Sequence, residues 1–417
     1  MYGAKTYLYQ HYVKRSGPNN SDAPRQGELG FSLIALLSAT MPDKWSRLSV
    51  TRLSYFFIHI GTMKNLFLKT FWIVAASIFL VNPAFSENSV TVNVMGVPYM
   101  QTLYMALADD FASIDNPLLL KYTGGKTEEF AKSVASGAVD FSVTDIPLTG
   151  KELDERKLIQ FPSMVTAIVP VVNLPGVESN KLVLNGLVLA KIMTGEITAW
   201  NDESIRALNP GMSLPSIRIK PLARSDASGA TLAISSFLSK SSTEFSTKIG
   251  AGELVRWPST VQLLHSGETL ETTIHDTVGA ISYIEMDIGN INKMTFVKLK
   301  HPTGSIVKAD MGFLRSGVVG ARTTDGGYGV RRLTAMDLGQ NWPILLPIYI
   351  VLPQKAVNDK KMTLALRFIF WTFNKGDDSI EQSGLVPLPV ELQTQAVKAF
   401  RKVQSVNGTP LIVNFDL

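Results

Sequence analysis

The chain has 417 residues, 45% hydrophobic and 18% charged, which excludes a disordered polypeptide and leaves core enough for two domains. Its formal charge of +5 is concentrated in residues 1–86, which hold nine Lys/Arg against three Asp/Glu. The remainder is near neutral, so charge gives no support to nucleic-acid binding. Absence of cysteine excludes disulfides, thiolate metal sites and a cysteine nucleophile, and the five histidines (His11, His59, His265, His275, His301) show no metal-ligand spacing.

Residues 1–62 carry no long periodic pattern, and Gly17-Pro18-Asn19-Asn20-Ser21 reads as loop. They are expected to be an upstream extension or a disordered leader. Met63 to Lys69 forms a short basic segment, followed by the unbroken apolar run Phe71–Val81. That run is shorter than the roughly 20 residues a membrane-spanning helix needs. Asn82-Pro83 ends it, and Ala84-Phe85-Ser86 offers small residues where a signal peptidase reads. Residues 63–86 therefore read as a signal peptide, with an uncleaved anchor as the alternative. The expected location is periplasmic or secreted.

From Val90 onward strand-like and helix-like stretches alternate. Val90–Met95, Leu118–Tyr122, Val139–Val143 and Val165–Asn173 read as strands; Thr102–Ile114 and Glu128–Ala135 have helical apolar spacing. Strand signatures return at Ile217–Leu222, Ala280–Ile284 and Pro347–Leu352, and Ala309–Gly339 is Gly-rich and loop-like. The alternation predicts an α/β protein with mainly parallel strands. In such sheets ligands sit at the carboxyl ends of the strands, here in loops 96–101, 123–128, 144–149 and 223–230.

The last of these loops is the most informative. Arg224 precedes Ser225-Asp226-Ala227-Ser228-Gly229, and the apolar helical stretch Ala230–Leu238 follows. A guanidinium, its carboxylate partner, a serine hydroxyl and unpaired N–H groups at a helix start are all suited to a tetrahedral oxyanion. An ordinary helix cap by Ser228 and a surface ion pair between Arg224 and Asp226 explain the same residues without a ligand. Catalytic readings fail on spacing. Gly124-Gly125-Lys126-Thr127 imitates the end of a P-loop, but Leu120 stands where its first glycine is required. No G-x-S-x-G surrounds Ser228, and no histidine is placed to activate it.

The chain from about Gly96 to Pro389 resembles, in order, the phosphate-binding proteins that serve bacterial phosphate ABC transporters. The resemblance is carried by VDFSVTDIPL (139–148), QFP (160–162), VVNLPGV (171–177), LAKIMTGEITAWND (189–202), IRALNPGMSLP (205–215), RSDASGAT (224–231), VRWP (255–258), GAISYIE (279–285) and GLVPLP (384–389). It implies a two-lobed type 2 periplasmic binding-protein fold, with a ligand cleft between lobes joined by crossover strands. Lobe 1 would be 87–168 plus 335–417, and lobe 2 would be 169–334. The expected ligand is inorganic phosphate, and the expected partner an ABC permease in the inner membrane. A monomer with no cofactor, no metal and no catalysis is implied. A non-transport member of the same fold with a partly decayed pocket, binding another oxyanion or acting as a sensor or surface-interaction protein, is the alternative.

Carried over by position, Asp145 is the ligand aspartate, Arg224 the ligand arginine and Asp226 the acid that orients it. Ser228, Gly229 and the N–H of Ala230 are the helix-start donors; Thr127 is the donor of the TGGKT loop, and Tyr99 lies in the turn after the first strand. Phosphate near neutral pH keeps an O–H that can donate to Asp145, whereas sulfate has none and would be repelled. This chain departs from the pattern in three places. Val97-Pro98-Tyr99-Met100 replaces a threonine-bearing turn, Ala230 stands for a threonine, and His265-Ser266-Gly267-Glu268 replaces a Gly-rich loop. Each charge-assisted hydrogen bond lost in this way costs roughly 1.5–3 kcal/mol.

Overall fold

The computed structural model describes residues 89–114, 118–319, 322–326, 330–334 and 341–415. The expected extension 1–62 and signal peptide 63–86 lie outside the described residues, as do parts of the Gly-rich stretch.

Eight strands make the main path of the sheet. They are β1 (Val90–Gly96), β2 (Leu118–Gly124), β3 (Phe141–Thr144), β4 (Leu158–Val172), β5 (Lys220–Arg224), β6 (Gln262–Leu264), β7 (Ala280–Glu285) and β8 (Leu345–Pro353), in the spatial order β2-β1-β3-β8-β4-β7-β5-β6. β1 is parallel to β2 and β3, and β5 is parallel to β6 and β7. Between these groups, β8 runs antiparallel to β3 and β4, and β4 antiparallel to β7. The expectation of a mainly parallel sheet thus holds within each group and fails at the seam that joins them. The seam is built on the long strand β4. All fifteen of its residues are buried, so one strand spans both groups and meets its neighbours head to tail.

The sequence hides that length because Pro162, just before the predicted strand Val165–Asn173, reads as a strand breaker. Pro162 is accommodated where the register against β8 shifts between Ile348 and Tyr349. A bulge is a place where a missing N–H does no harm. Ser163 at the shift donates its hydroxyl to the carbonyl of Ile348, 3.1 Å away. Two tryptophans anchor the same region from buried positions: Trp342 donates to Ile168 O at 3.0 Å and Trp200 to Gly279 O at 3.1 Å.

Helices α1 (Gln101–Ala112), α2 (Thr127–Ala135) and α3 (Gly150–Arg156) follow β1, β2 and β3, while α4 (Gly229–Ser241) and α5 (Gly267–Asp276) follow β5 and β6. One apolar core runs through both strand groups, including Phe111, Phe141, Ile168, Leu222 and Ile281. The loops at the carboxyl ends of the parallel strands are therefore held on rigid supports. These are the loops the sequence singles out.

Candidate functional site

The site is assembled from the ends of β1, β3, β5 and β7. Asp145 directly follows β3 and is 3% exposed. It is not spent as a helix cap. Thr149 caps α3 instead, its Oγ1 accepting from the Glu152 N–H at 3.3 Å while Glu152 accepts from the Thr149 N–H at 2.8 Å. Tyr99 donates its hydroxyl to Asp145 Oδ2 at 3.3 Å. Asp145 Oδ1, buried, has no hydrogen-bond partner among the described residues.

Tyr99 owes this reach to the altered turn. Pro98 opens a short 3-10 turn, Pro98–Met100, where its missing N–H costs nothing. Val97 is fixed from two sides, donating its N–H to Val143 O at 3.1 Å and accepting the Tyr122 hydroxyl at 2.8 Å. In this turn, where the resemblance implies a threonine, an aromatic hydroxyl points at the aspartate.

Arg224 ends β5 and turns back onto Asp226 with two parallel bonds, Nε to Oδ1 at 2.9 Å and Nη2 to Oδ2 at 2.6 Å. The two side chains are only 16% and 30% exposed, so the fork is fixed in a partly desolvated setting. Its remaining nitrogen, Nη1, faces the start of α5, 3.6 Å from where a Cβ on Gly267 would stand. Burial alone would lower the Arg224 pKa; Asp226, Glu285 and Asp145 outweigh it and keep the guanidinium charged.

Ser228 caps α4, its hydroxyl accepting from the Thr231 N–H at 3.1 Å and donating to Thr231 Oγ1 at 2.9 Å. Thr231 in turn shares a 2.9 Å bond with the Tyr283 hydroxyl, which accepts the Arg224 N–H at 3.4 Å. This relay ties the start of α4 to the strand that carries Arg224. Trp257 of the VRWP segment packs on Tyr283, ring centroids 6.3 Å apart.

Gly229 touches Asp145. A Cβ there would lie 2.6 Å from Asp145 O and 2.7 Å from its Cγ, so only glycine fits. This contact brings the end of β3 to the positive end of α4. Ala230 is buried in the first helical turn and contributes no side-chain donor. Thr127 starts α2, half-buried, and the preceding loop is tied to β1 by the Gly125 N–H on Gly96 O at 3.1 Å. No described contact links the Thr127 side chain to Asp145 or Arg224. The structure thus gathers Tyr99, Asp145, Arg224, Asp226, Ser228, Gly229 and Ala230 and does not join Thr127 to them.

Sequence reasoning missed two acids. Glu285 ends β7, is 6% exposed, and has an unpartnered Oε1. Asp287, also buried, accepts the Thr166 hydroxyl at 2.9 Å. The one signal was GAISYIE, whose polar last residue ends a buried strand.

Burial pushes the Asp145 carboxyl up; Arg224, Tyr99 and the N–H groups of Asp145 and Gly229 oppose this without cancelling it. Burial likewise pushes Glu285 up to about 7, against the pull of Arg224, and Asp287 up to about 6, against its bond from Thr166. Glu285 is therefore able to hold a proton near neutral pH.

A stability prediction follows from the sign of these shifts. A carboxyl whose pKa is higher folded than unfolded favours the fold fully below its unfolded value. That contribution is lost as pH rises through the folded value. For Glu285 the window runs from 4.5 to about 7. Denaturant unfolding should show stability falling across this window, and Glu285→Gln should remove on the order of 3 kcal/mol of the fall. An unchanged pH dependence in that variant would contradict the assignment.

The profile of the PBP superfamily domain matches residues 83–375. The phosphate-binding protein PstS of Haemophilus influenzae is 32% identical over 270 residues, covering 64% of this chain and 79% of that one. PstS of Xylella fastidiosa (strain Temecula1) is 33% identical over 262 residues, covering 63% and 72%. In fold, the chain is similar to a high-affinity periplasmic phosphate-binding protein, PfluDING, solved with phosphate bound. There the TM-score is 0.58 with 17% identity, covering 74% of this chain and 93% of that one.

Proposed function

Because the chain belongs to the PBP superfamily, with a mixed α/β fold and PstS-type relatives, we propose that it is an exported solute-binding protein for inorganic phosphate. It would capture the anion between two lobes and deliver it to an ABC permease. The relatives' names favour a binding role without catalysis, and the periplasmic PfluDING favours export.

The observation that carries the reading is the pairing of opposites at one place. An unpartnered carboxylate oxygen on Asp145 lies within electrostatic reach of a forked guanidinium, beside the start of α4. A wholly unprotonated anion would be drawn by Arg224 and repelled by Asp145. Phosphate satisfies both, because one of its oxygens carries a proton for Oδ1 while the others accept from Arg224 and the N–H groups of α4. Asp226 holds the plane of the guanidinium, and Ser228 acts through Thr231 and Tyr283 to hold the helix start. Tyr99 occupies Oδ2, leaving Oδ1 for the ligand's proton. Closure of the lobes along β4 and β8 would complete the cage and exclude water.

A second reading, a non-transport binder of another oxyanion, is favoured by one observation. Pro98 and Ala230 supply no side-chain donors where the family has them. Calorimetric titration of the chain with phosphate, arsenate and sulfate tests both. Micromolar or tighter phosphate binding is expected; absence of phosphate heat alongside binding of a different oxyanion would favour the second reading.

A further inference from the structure

β7 ends in an acid with an oxygen the fold leaves unpaired. Glu285 is 6% exposed, and its Oε1 is buried without a hydrogen-bond partner among the described residues. It holds the N-cap position of the short helix Met286–Ile291, yet its side chain makes no capping bond. The carboxylate is turned elsewhere. Pro221 of β5 pairs with Ile281 of β7 in a parallel register, and four residues further on each strand bring Glu285 level with Ser225, beside Arg224. Side chains alternate along a strand, so Glu285 shares a face with Tyr283, whose hydroxyl accepts the Arg224 N–H.

Around this acid the charges are unevenly matched. Glu285 faces Arg224 on β5, Asp145 after β3, Tyr99 in the turn after β1, Tyr283 on its own strand and Asp287 on the helix that follows. β4, which pairs with Glu285 through Ile168, carries no charged residue. Arg224 is the cation among these groups. It already holds Asp226 by two bonds, and Glu271 on α5 acts on it as well. A further anion therefore meets carboxylates that compete with it for the same guanidinium. Asp145 is reconciled with phosphate by the ligand's own proton; Glu285 has no such partner and must be neutralised in another way.

We propose that Glu285 links phosphate capture to proton uptake, taking a proton from solvent onto its carboxylate when the anion engages Arg224. The inference rests on the phosphate reading above and adds its proton coupling. Without ligand, the guanidinium favours the ionised acid, which serves Arg224 as a further counter-ion. Phosphate at Nη1 diverts that guanidinium and places a like charge nearby, and both effects favour the protonated carboxyl. Glu285 thus acts through Arg224 and is a positioning residue, with no contact to the anion. The sign follows from linkage. Burial pushes Glu285 up to about 7, and a nearby anion raises it further. Affinity is full below the first value and declines until pH passes the second.

The test is calorimetric titration of the full chain and of Glu285→Gln with inorganic phosphate, at pH 6 and at pH 8.5. Ionisation of the ligand and of Asp145 is common to both chains, so the difference between them reports Glu285. Glutamine has the shape of the protonated acid and cannot ionise. Its affinity relative to the native chain should therefore rise about tenfold between the two pH values, the factor that one unit of pKa shift carries. At pH 7.5, heats measured in buffers of different ionisation enthalpy should show the native chain taking up more protons per phosphate than the variant. Glu285→Met gives a second uncharged variant should the first fold poorly, with circular dichroism checking both. A purely structural role would change binding by the same factor at every pH, and parallel pH profiles would overturn the proposal. Equal proton uptake in the two chains would overturn it as well. If the native chain binds no phosphate at pH 6, the phosphate reading has failed and this inference falls with it.

Discussion

Arg224→Ala should weaken phosphate binding by about a hundredfold or more while leaving the chain folded. Truncating one member of a buried, hydrogen-bonded charge pair costs roughly 2–5 kcal/mol, part of it from the partner left unpaired. Here the partner, Asp226, is 30% exposed, so water relieves it and the stability cost stays small. The binding cost is large because the fork to Asp226 leaves Nη1, which faces the start of α5, to donate to the anion, and because the guanidinium charge acts on the Asp145 site. Arg224→Lys should recover little, since an ammonium on a flexible stem cannot keep the bidentate bond to Asp226. Calorimetry beside a denaturant melt separates the two effects. A loss of binding under tenfold in the folded alanine variant would show that Arg224 is structural.

Gly229→Ala is the second large effect, and it acts through shape. Both Gly150 and Gly229 open helices, and neither has a positive φ. A Cβ on Gly150 meets nothing within 4 Å, while one on Gly229 would stand 2.6 Å from the backbone oxygen of Asp145. Backbone cannot rotate away as a side chain can, so the end of β3 and the start of α4 must part. Overpacking of this kind costs roughly 1–3 kcal/mol in stability. Because the displaced groups are Asp145 and the helix start, phosphate affinity should fall at least tenfold as well. Gly150→Ala should be neutral in both measurements. Equal behaviour of the two variants would mean that the Asp145–Gly229 contact does not shape the site.

The local parts of the site were legible in the sequence because their partners are neighbours in the chain. Arg224 and Asp226 are two residues apart, and Ser228 precedes an apolar helical run, so the ion pair and the cap are both visible in RSDASGAT. Tyr99 and Asp145 are 46 residues apart, and nothing in the turn after β1 announces that a tyrosine hydroxyl replaces the expected threonine. Glu285, marked only by the polar end of GAISYIE, was passed over for a different reason. An acid at the end of a strand reads as a surface residue until the neighbouring elements bury it.

The fold divides in the same way. Strand positions followed from apolar runs, and six of the predicted strands overlap observed ones by most of their length; Ile217–Leu222 is displaced toward Arg224 because only its last residues pair with β7 and β6. Strand direction did not follow, since parallel and antiparallel neighbours demand the same buried side chains. β4 was read as half its length because a proline looks like an end unless a bulge in its own strand absorbs it.

The central claim is that Asp145 recognises a proton carried by the anion. Titrating the native chain and Asp145→Asn with phosphate and with sulfate tests it most directly. The native chain should bind phosphate and give no sulfate heat. The asparagine variant should lose much of its phosphate affinity and, with the repelling charge gone, take up sulfate to a comparable degree. A native chain that binds both anions equally, or a variant whose preference is unchanged, would contradict the account.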